Sequence, residues 1–164
     1  MKALTKGLVR LNDVVCHTVK GIIVLLAAVM TAAILWQVFM RYFFNRPPSW
    51  TEELALLMFT WTMLLMIAVG VREFFHVRMD LLIEHLPSVG KDIMNRLICF
   101  GIAGFGCYLV WSGATYVHET IGSTSAAIGY AVEWLYTAAP VSGALTALFA
   151  FERLLVGLPQ EEKA

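Results

Sequence analysis

The densest group of side chains able to do chemistry lies between positions 41 and 53. Arg41, Arg46, Glu52 and Glu53 fall within the run Arg41-Tyr-Phe-Phe-Asn-Arg-Pro-Pro-Ser-Trp-Thr-Glu-Glu. Two guanidinium groups and two carboxylates so close together suit ion pairing, with one another or with charges on a partner. They form no nucleophile–base pair and no phosphate-binding loop. The four histidines, His17, His76, His85 and His118, are the other candidates for chemistry, as haem or metal ligands. Of the three cysteines, Cys16 stands apart. Cys99 and Cys107 are eight positions apart, about 12 Å along a helix and beyond disulfide reach. No metal spacing is present. The sequence therefore assigns no catalytic residue, no metal and no cofactor, and it does not read as an enzyme.

The elements that carry these residues follow from hydropathy. Of 164 residues, 59% are hydrophobic and 15% charged, with a mean hydropathy of +0.73; soluble domains are nearer a quarter charged. Twelve basic and twelve acidic residues cancel, which excludes the basic footprint of a nucleic-acid binder. A bilayer core about 30 Å thick needs roughly 20 apolar helical residues to cross it. Four runs free of Asp, Glu, Lys and Arg have that length: Gly21 to Met40, Leu54 to Val71, Leu97 to Val117 and Trp134 to Phe151. Lipid offers no partner to an unpaired backbone, so each is expected to be a helix. The expected fold is an all-α integral membrane protein, residues 1–164 forming one four-helix domain with spans at about 21–40, 54–71, 97–117 and 134–151. The first run is too long for the apolar core of a cleaved signal peptide, and no small-residue cleavage site precedes Arg41.

Basic residues set the expected orientation. With both termini inside, Lys2, Lys6, Arg10, Lys20, Arg72, Arg78, Lys91, Arg96, Arg153 and Lys163 are cytoplasmic, and only Arg41 and Arg46 are outside. The positive-inside rule selects that topology. The Arg41–Glu53 stretch is then an external loop. Pro47 and Pro48 end the first helix. Ser49 and Glu52 fit a capping box at the start of the second, with Glu52 and Glu53 at its positive dipole end and Arg72 at its negative end. Trp50 and Tyr42 suit the interfacial belt. Arg41 has Glu52 and Glu53 within reach as ion-pair partners. Between Arg72 and Arg96, Phe74, Phe75, Val77, Met79, Leu81, Leu82, Ile83 and Leu86 alternate with charges up to Pro87. That pattern predicts a short amphipathic segment on the cytoplasmic membrane surface, and Ser88 is placed to cap the helix that follows.

Inside the spans, Gln37 is read as a hydrogen bond to a neighbouring helix or to interfacial water. Ala139, Gly143 and Ala147 recur every fourth residue beside Pro140. Such a stripe of small residues lets another helix approach closely, in a partner or in the same bundle. Pro140 is expected to bend its helix.

An ion or proton carrier needs ionisable groups within the membrane, and the four runs hold no Asp, Glu, Lys or Arg. They hold neither the paired broken helices of a substrate site nor two histidines placed to ligate haem. The residues alone describe a four-helix membrane subunit that acts with a larger partner. Two other readings stay open: a membrane anchor of a redox complex, and a self-sufficient small transporter.

Three stretches resemble one family. Arg41-Tyr42-x-Phe44-x-x-x-x-x-Trp50-x-Glu52-Glu53-Leu54-Ala55 is similar to a motif of the small membrane subunit, DctQ, of tripartite ATP-independent periplasmic (TRAP) transporters. So is Arg72-x-x-x-His76-Val77-x-x-Asp80. Ser125 and Ala127 ahead of Trp134-x-Tyr136-x-x-x-Pro140 resemble that family's last loop and fourth helix. The likeness runs from about Gly21 to Phe151; the double proline Pro47-Pro48 is a departure to which no role is carried over. The resemblance implies a bacterial inner-membrane transporter for organic acids, such as C4-dicarboxylates or sialic acid, driven by a sodium gradient. It implies a large permease subunit that moves substrate and a periplasmic protein that captures it. The small subunit would brace the large one and help receive the binding protein on its outer side. Arg41, Arg46, Trp50, Glu52 and Glu53 are the candidate contacts for the binding protein. Arg72, His76 and Asp80 form the motif on the cytoplasmic loop.

Overall fold

The computed structural model describes residues 2–73 and 88–156. They form five helices: α1 (Lys2–Phe44), α2 (Trp50–Glu73), α3 (Ser88–Glu119), the short α4 (Glu133–Tyr136) and α5 (Ala138–Val156). Among the described residues β structure is limited to one isolated bridge, Thr124 to Ala131. Four segments are long and apolar enough to cross a membrane: Val9–Phe44, Trp50–Glu73, Arg96–Glu119 and Glu133–Leu154, the last running through α4 and α5. Each contains one of the charge-free runs. The amphipathic segment expected after Arg72, with His76 and Asp80, lies outside the described residues.

α1 differs from expectation at its start. By hydropathy the sequence up to Lys20 is a tail, yet α1 is continuous for 43 residues, about 65 Å of helix and twice the depth of a hydrocarbon core. Charges at Lys2, Lys6, Arg10 and Asp13 interrupt the hydropathy there, but they do not interrupt the helical register. Asn12, Cys16 and Val19 follow at i, i+4 and i+7 and are all buried. Cys16 and Val19 share a core with Leu65 and Val69 of α2 and Phe149 of α5.

α1 ends where its sequence says it should. Asn45 adopts a left-handed conformation (φ 53°), one that asparagine tolerates and that commonly closes helices. Pro47 and Pro48 follow, and α2 starts at Trp50 with Ser49 in the cap position. The capping box is not completed as expected. The Glu52 carboxylate, which would turn back to the Ser49 N–H, instead accepts from Gln37 Nε2 of α1 at 2.7 Å. The carboxylate thereby ties the start of α2 to α1 by a charge-assisted hydrogen bond instead of capping its own helix.

The helices pack chiefly in the order α1, α2, α5, α3, with α1 also touching α5 at one end. α1 lies along α2, α2 against α5, and α5 against α3. α5 and α3 approach closely because small residues face each other. A Cβ added to Gly143 would sit 2.8 Å from the Gly106 carbonyl oxygen and 2.8 Å from Leu109 Cβ. One added to Gly113 would sit 2.7 Å from Pro140 Cδ, with the Ala139 Cβ at 3.3 Å, and one on Gly106 would sit 2.8 Å from the Ala147 nitrogen. The stripe Ala139, Gly143, Ala147 with Pro140 thus packs inside this subunit. Pro140 leaves a mark of its own. It cannot donate to the Tyr136 carbonyl four residues back, and the helix is interrupted at Thr137 between α4 and α5. Thr137 N–H to the Glu133 carbonyl (2.8 Å) and Val141 N–H to the Thr137 carbonyl (3.2 Å) keep the chain on course through the break.

Candidate functional site at the two ends of the row

Polar side chains gather at the two ends of the helices. Glu53 and Arg72, both on α2, mark these ends. They are nineteen residue steps apart along the helix, about 28 Å of rise, close to the depth of a bilayer core.

At the Glu53 end, one carboxylate organises the segment between α3 and α5. Ser125 Oγ donates to Glu53 Oε2. The Ala127 N–H donates to Oε1 at 2.9 Å and the Ile128 N–H to Oε2 at 2.9 Å. The segment is shaped to present these donors. Ser125 N–H bonds the Tyr130 carbonyl (2.9 Å) and Val132 N–H the Ser123 carbonyl (3.0 Å), closing a narrow loop. Gly129, at φ 74°, makes the reversal, which a side chain would strain, and its N–H reaches Ser125 Oγ at 3.2 Å. Successive backbone N–H groups make an anion-binding concavity, and here the anion is the protein's own Glu53. Burial pushes the Tyr130 phenol above its ordinary range, and the nearby Glu53 charge adds to it.

The neighbouring acids are engaged too. Glu52 holds Gln37 of α1, and Glu133 Oε1 accepts from the Gly122 N–H at 3.1 Å. Trp61 Nε1 donates to the Trp134 carbonyl at 2.9 Å, tying α2 to the start of α4. Tyr116 and Tyr136 meet edge to face with centroids 4.6 Å apart. Arg41, Arg46 and Trp50 are exposed, and the expected pairing of Arg41 with Glu52 or Glu53 does not form. Both carboxylates have taken other donors, and the ion pairs among the described residues lie elsewhere.

At the Arg72 end, three helices are tied together. The Arg72 guanidinium pairs with Asp13 of α1 at 2.7 Å, lies 3.5 Å from Glu152 of α5 and covers the Phe149 ring at 5.6 Å. Asn12 Nδ2 donates to the buried Glu152 at 2.7 Å. Arg153 donates to the Arg72 carbonyl, and Lys20 pairs with Glu73. Between the ends, Ser142 Oγ of α5 bonds the Leu64 carbonyl of α2 at 2.6 Å.

The structure therefore joins two of the three motif stretches, Glu53 with Ser125 and Ala127. Sequence reading found all three residues but not their contact. It missed Asp13 and Glu152 as partners of Arg72 and Asn12 as a partner of Glu152; for Asn12 and Glu152 the signal was a polar residue on the buried face of a helical register. Among the described residues no group of three or more His, Cys, Asp and Glu is placed to hold a metal.

Four membrane-length helices in a row, polar at both ends and apolar between, define a multi-pass membrane subunit. The chain belongs to the family described as tripartite ATP-independent periplasmic transporters, DctQ component, whose model matches residues 30–160. It is a transmembrane small permease subunit of the TRAP type. It is 25% identical over 155 residues to the sialic acid TRAP transporter small permease protein SiaQ of Vibrio cholerae, covering 90% of this chain and 89% of that one. It is 34% identical over 92 residues to the C4-dicarboxylate TRAP transporter small permease protein DctQ of the same species, covering 56% and 40%. A 29% identical match of 117 residues, 70% of this chain, makes up 18% of the sialic acid TRAP transporter permease protein SiaT of Haemophilus influenzae.

Proposed function

We propose that this subunit binds no substrate itself. It braces the large permease of a sodium-coupled TRAP transporter for organic acids, C4-dicarboxylate, sialic acid or a similar carboxylate, and helps dock the periplasmic binding protein. It would lie in the bacterial inner membrane with both termini cytoplasmic. The Glu53 end is then the outer, docking side, and the Arg72 end, with the motif through His76 and Asp80, the inner side. One observation carries the reading: between Glu53 and Arg72, and at matching depth on the other helices, there is no Asp, Glu, Lys or Arg to carry a coupled ion. The match to a fraction of a much longer permease supports a large partner. Arg41, Arg46 and Trp50 would face the binding protein, while Glu52 and Glu53 shape the surface from within. The redox-anchor reading gains no support, since no pair of histidines is brought together among the described residues.

The test is reconstitution. The chain alone in liposomes should give no sodium-driven uptake of a carboxylate, and should co-purify with a large permease when the two are expressed together. Uptake by the chain alone would overturn the proposal.

A further inference from the structure

At the Arg72 end, α1 and α2 bound a cleft of about 510 Å³, within the size range of small-molecule sites. Its polar lining comes from Asp13, His17 and Lys20 of α1 and from Arg72 and Glu73 of α2. The helices fix its depth in the bilayer. Lys20 lies seventeen residue steps before Gln37, about 26 Å of rise, and Gln37 is bonded to Glu52 at the opposite end. The cleft therefore sits at the edge of a hydrocarbon core about 30 Å thick, where phospholipid headgroups begin. Its charges cancel. Lys20 pairs with Glu73 and Arg72 with Asp13, and behind them Glu152 and Arg153 of α5 add one charge of each sign. Three of the four lining charges remain partly open: the Asp13 side chain is 63% exposed, Lys20 45% and Glu73 36%, against 15% for Arg72. Toward the middle of the membrane the same helix faces turn apolar. On α1, Val24 lies one turn beyond Lys20 and Leu35 five turns beyond His17; on α2, Met66 and Phe59 lie two and four turns before Glu73. All four are exposed.

We infer that this cleft is a binding site for a zwitterionic phospholipid with a primary ammonium, a phosphatidylethanolamine, whose acyl chains lie along Val24, Leu35, Met66 and Phe59. The site requires only that the chain spans a bilayer. It is independent of which leaflet the Arg72 end meets; on the proposed topology that leaflet is the inner one. A spanning chain has lipid against every face that no protein covers, so location supplies the lipid and the chemistry of the cleft selects its headgroup. The phosphate accepts from Lys20 and Arg72, and the ammonium donates to Asp13 and Glu73. Such a headgroup carries both signs and no net charge, like the cleft itself. An anionic glycerol headgroup brings a charge that cancelled neighbours do not attract, and a quaternary choline has no N–H to donate. Exposed ion pairs contribute little on their own, so Lys20, Glu73 and Asp13 can re-pair with the headgroup. Arg72, held by Glu152 and stacked on Phe149, stays in place.

The test uses the complex of this chain with its large permease, purified in detergent and stripped of loosely held lipid. Native mass spectrometry with equal amounts of dioleoyl phosphatidylethanolamine, phosphatidylcholine and phosphatidylglycerol measures which lipid is retained. The ethanolamine lipid should be favoured over each of the others by about tenfold, the factor expected of one charge-assisted hydrogen bond. Lys20→Met combined with Glu73→Gln should abolish that preference, with co-purification of the permease and the unfolding temperature without added lipid unchanged. Val24→Trp, which fills the apolar track and leaves the headgroup residues alone, should cost the same adduct. Equal retention of the three lipids would overturn the site and leave the cleft holding bulk lipid only. A preference that survives both variants would overturn it too, since the lipid would then sit elsewhere in the complex. A lower unfolding temperature in Lys20→Met/Glu73→Gln with the preference intact would reduce the Lys20–Glu73 pair to a strut between α1 and α2, and the inference would fall.

Discussion

Ser125 and Glu53 are 72 residues apart in sequence, and the hydroxyl of one donates to the carboxylate of the other. The Ala127 and Ile128 N–H groups complete the ring of donors. The contact fastens the loop between the last two spans to the start of the second. The shape of this end thus depends on one acid.

Removing that acid should loosen the loop without dissolving the helices. In Glu53→Ala, amide exchange over 123–130 is expected to quicken about tenfold or more, while protection in α2 and α5 stays. Glu53→Gln should fall between, because its amide oxygen accepts more weakly than a carboxylate. Exchange mass spectrometry of the complex decides; unchanged protection in Glu53→Ala would show that the loop holds itself.

The Arg72 cluster should behave as a buried ionic network. Arg72→Met removes the guanidinium facing the buried Glu152, which keeps the Asn12 amide as a donor, and should cost about 3 kcal/mol or more. Pairing it with Glu152→Leu should recover part of the loss, since the buried carboxylate is removed along with its cation. Thermal unfolding in detergent measures both. A double variant no better than Arg72→Met would mean that Arg72 acts through Asp13 and Phe149 alone.

Gly143→Leu should separate α5 from α3, because its first new atom would meet the Gly106 carbonyl and the Val110 nitrogen, which are backbone and cannot swing aside. Lower yield and a lower unfolding temperature are expected. Gly101→Ala is the control, since a Cβ there meets nothing within 4 Å, and it should be close to neutral. Equal stability of the two variants would sink the packing account.

Orientation can be settled by labelling. An impermeant thiol reagent on intact cells should reach a cysteine introduced at Ser123 and spare one at Lys163. The reverse pattern would turn the proposed topology over.

The spans were legible because a run of about 18 residues without charge leaves the backbone few options in lipid. Gln37 was legible in kind, as a hydrogen bond between helices, though Glu52 as its partner was not. The helix preceding Lys20 was hidden by hydropathy averaging and visible only in the spacing of Asn12, Cys16 and Val19. The lateral order of the helices was not legible. A face that meets lipid and a face that meets another helix carry the same apolar residues, and glycines such as Gly106 and Gly104 differ only in what lies opposite them. The Glu53–Ser125 contact was beyond local rules altogether, because both residues had adequate roles nearby, one as a helix-start acid and the other as a loop residue.

The side-by-side order α1, α2, α5, α3 bears on what the molecule can enclose. A conduit needs walls that close on themselves, whereas helices laid mainly side by side have two broad sides and two edges. Among the described residues no helix turns back to shut a lumen, so a solute following this wall stays outside it. Among the described residues neither side supplies an opposite bank to an aqueous path.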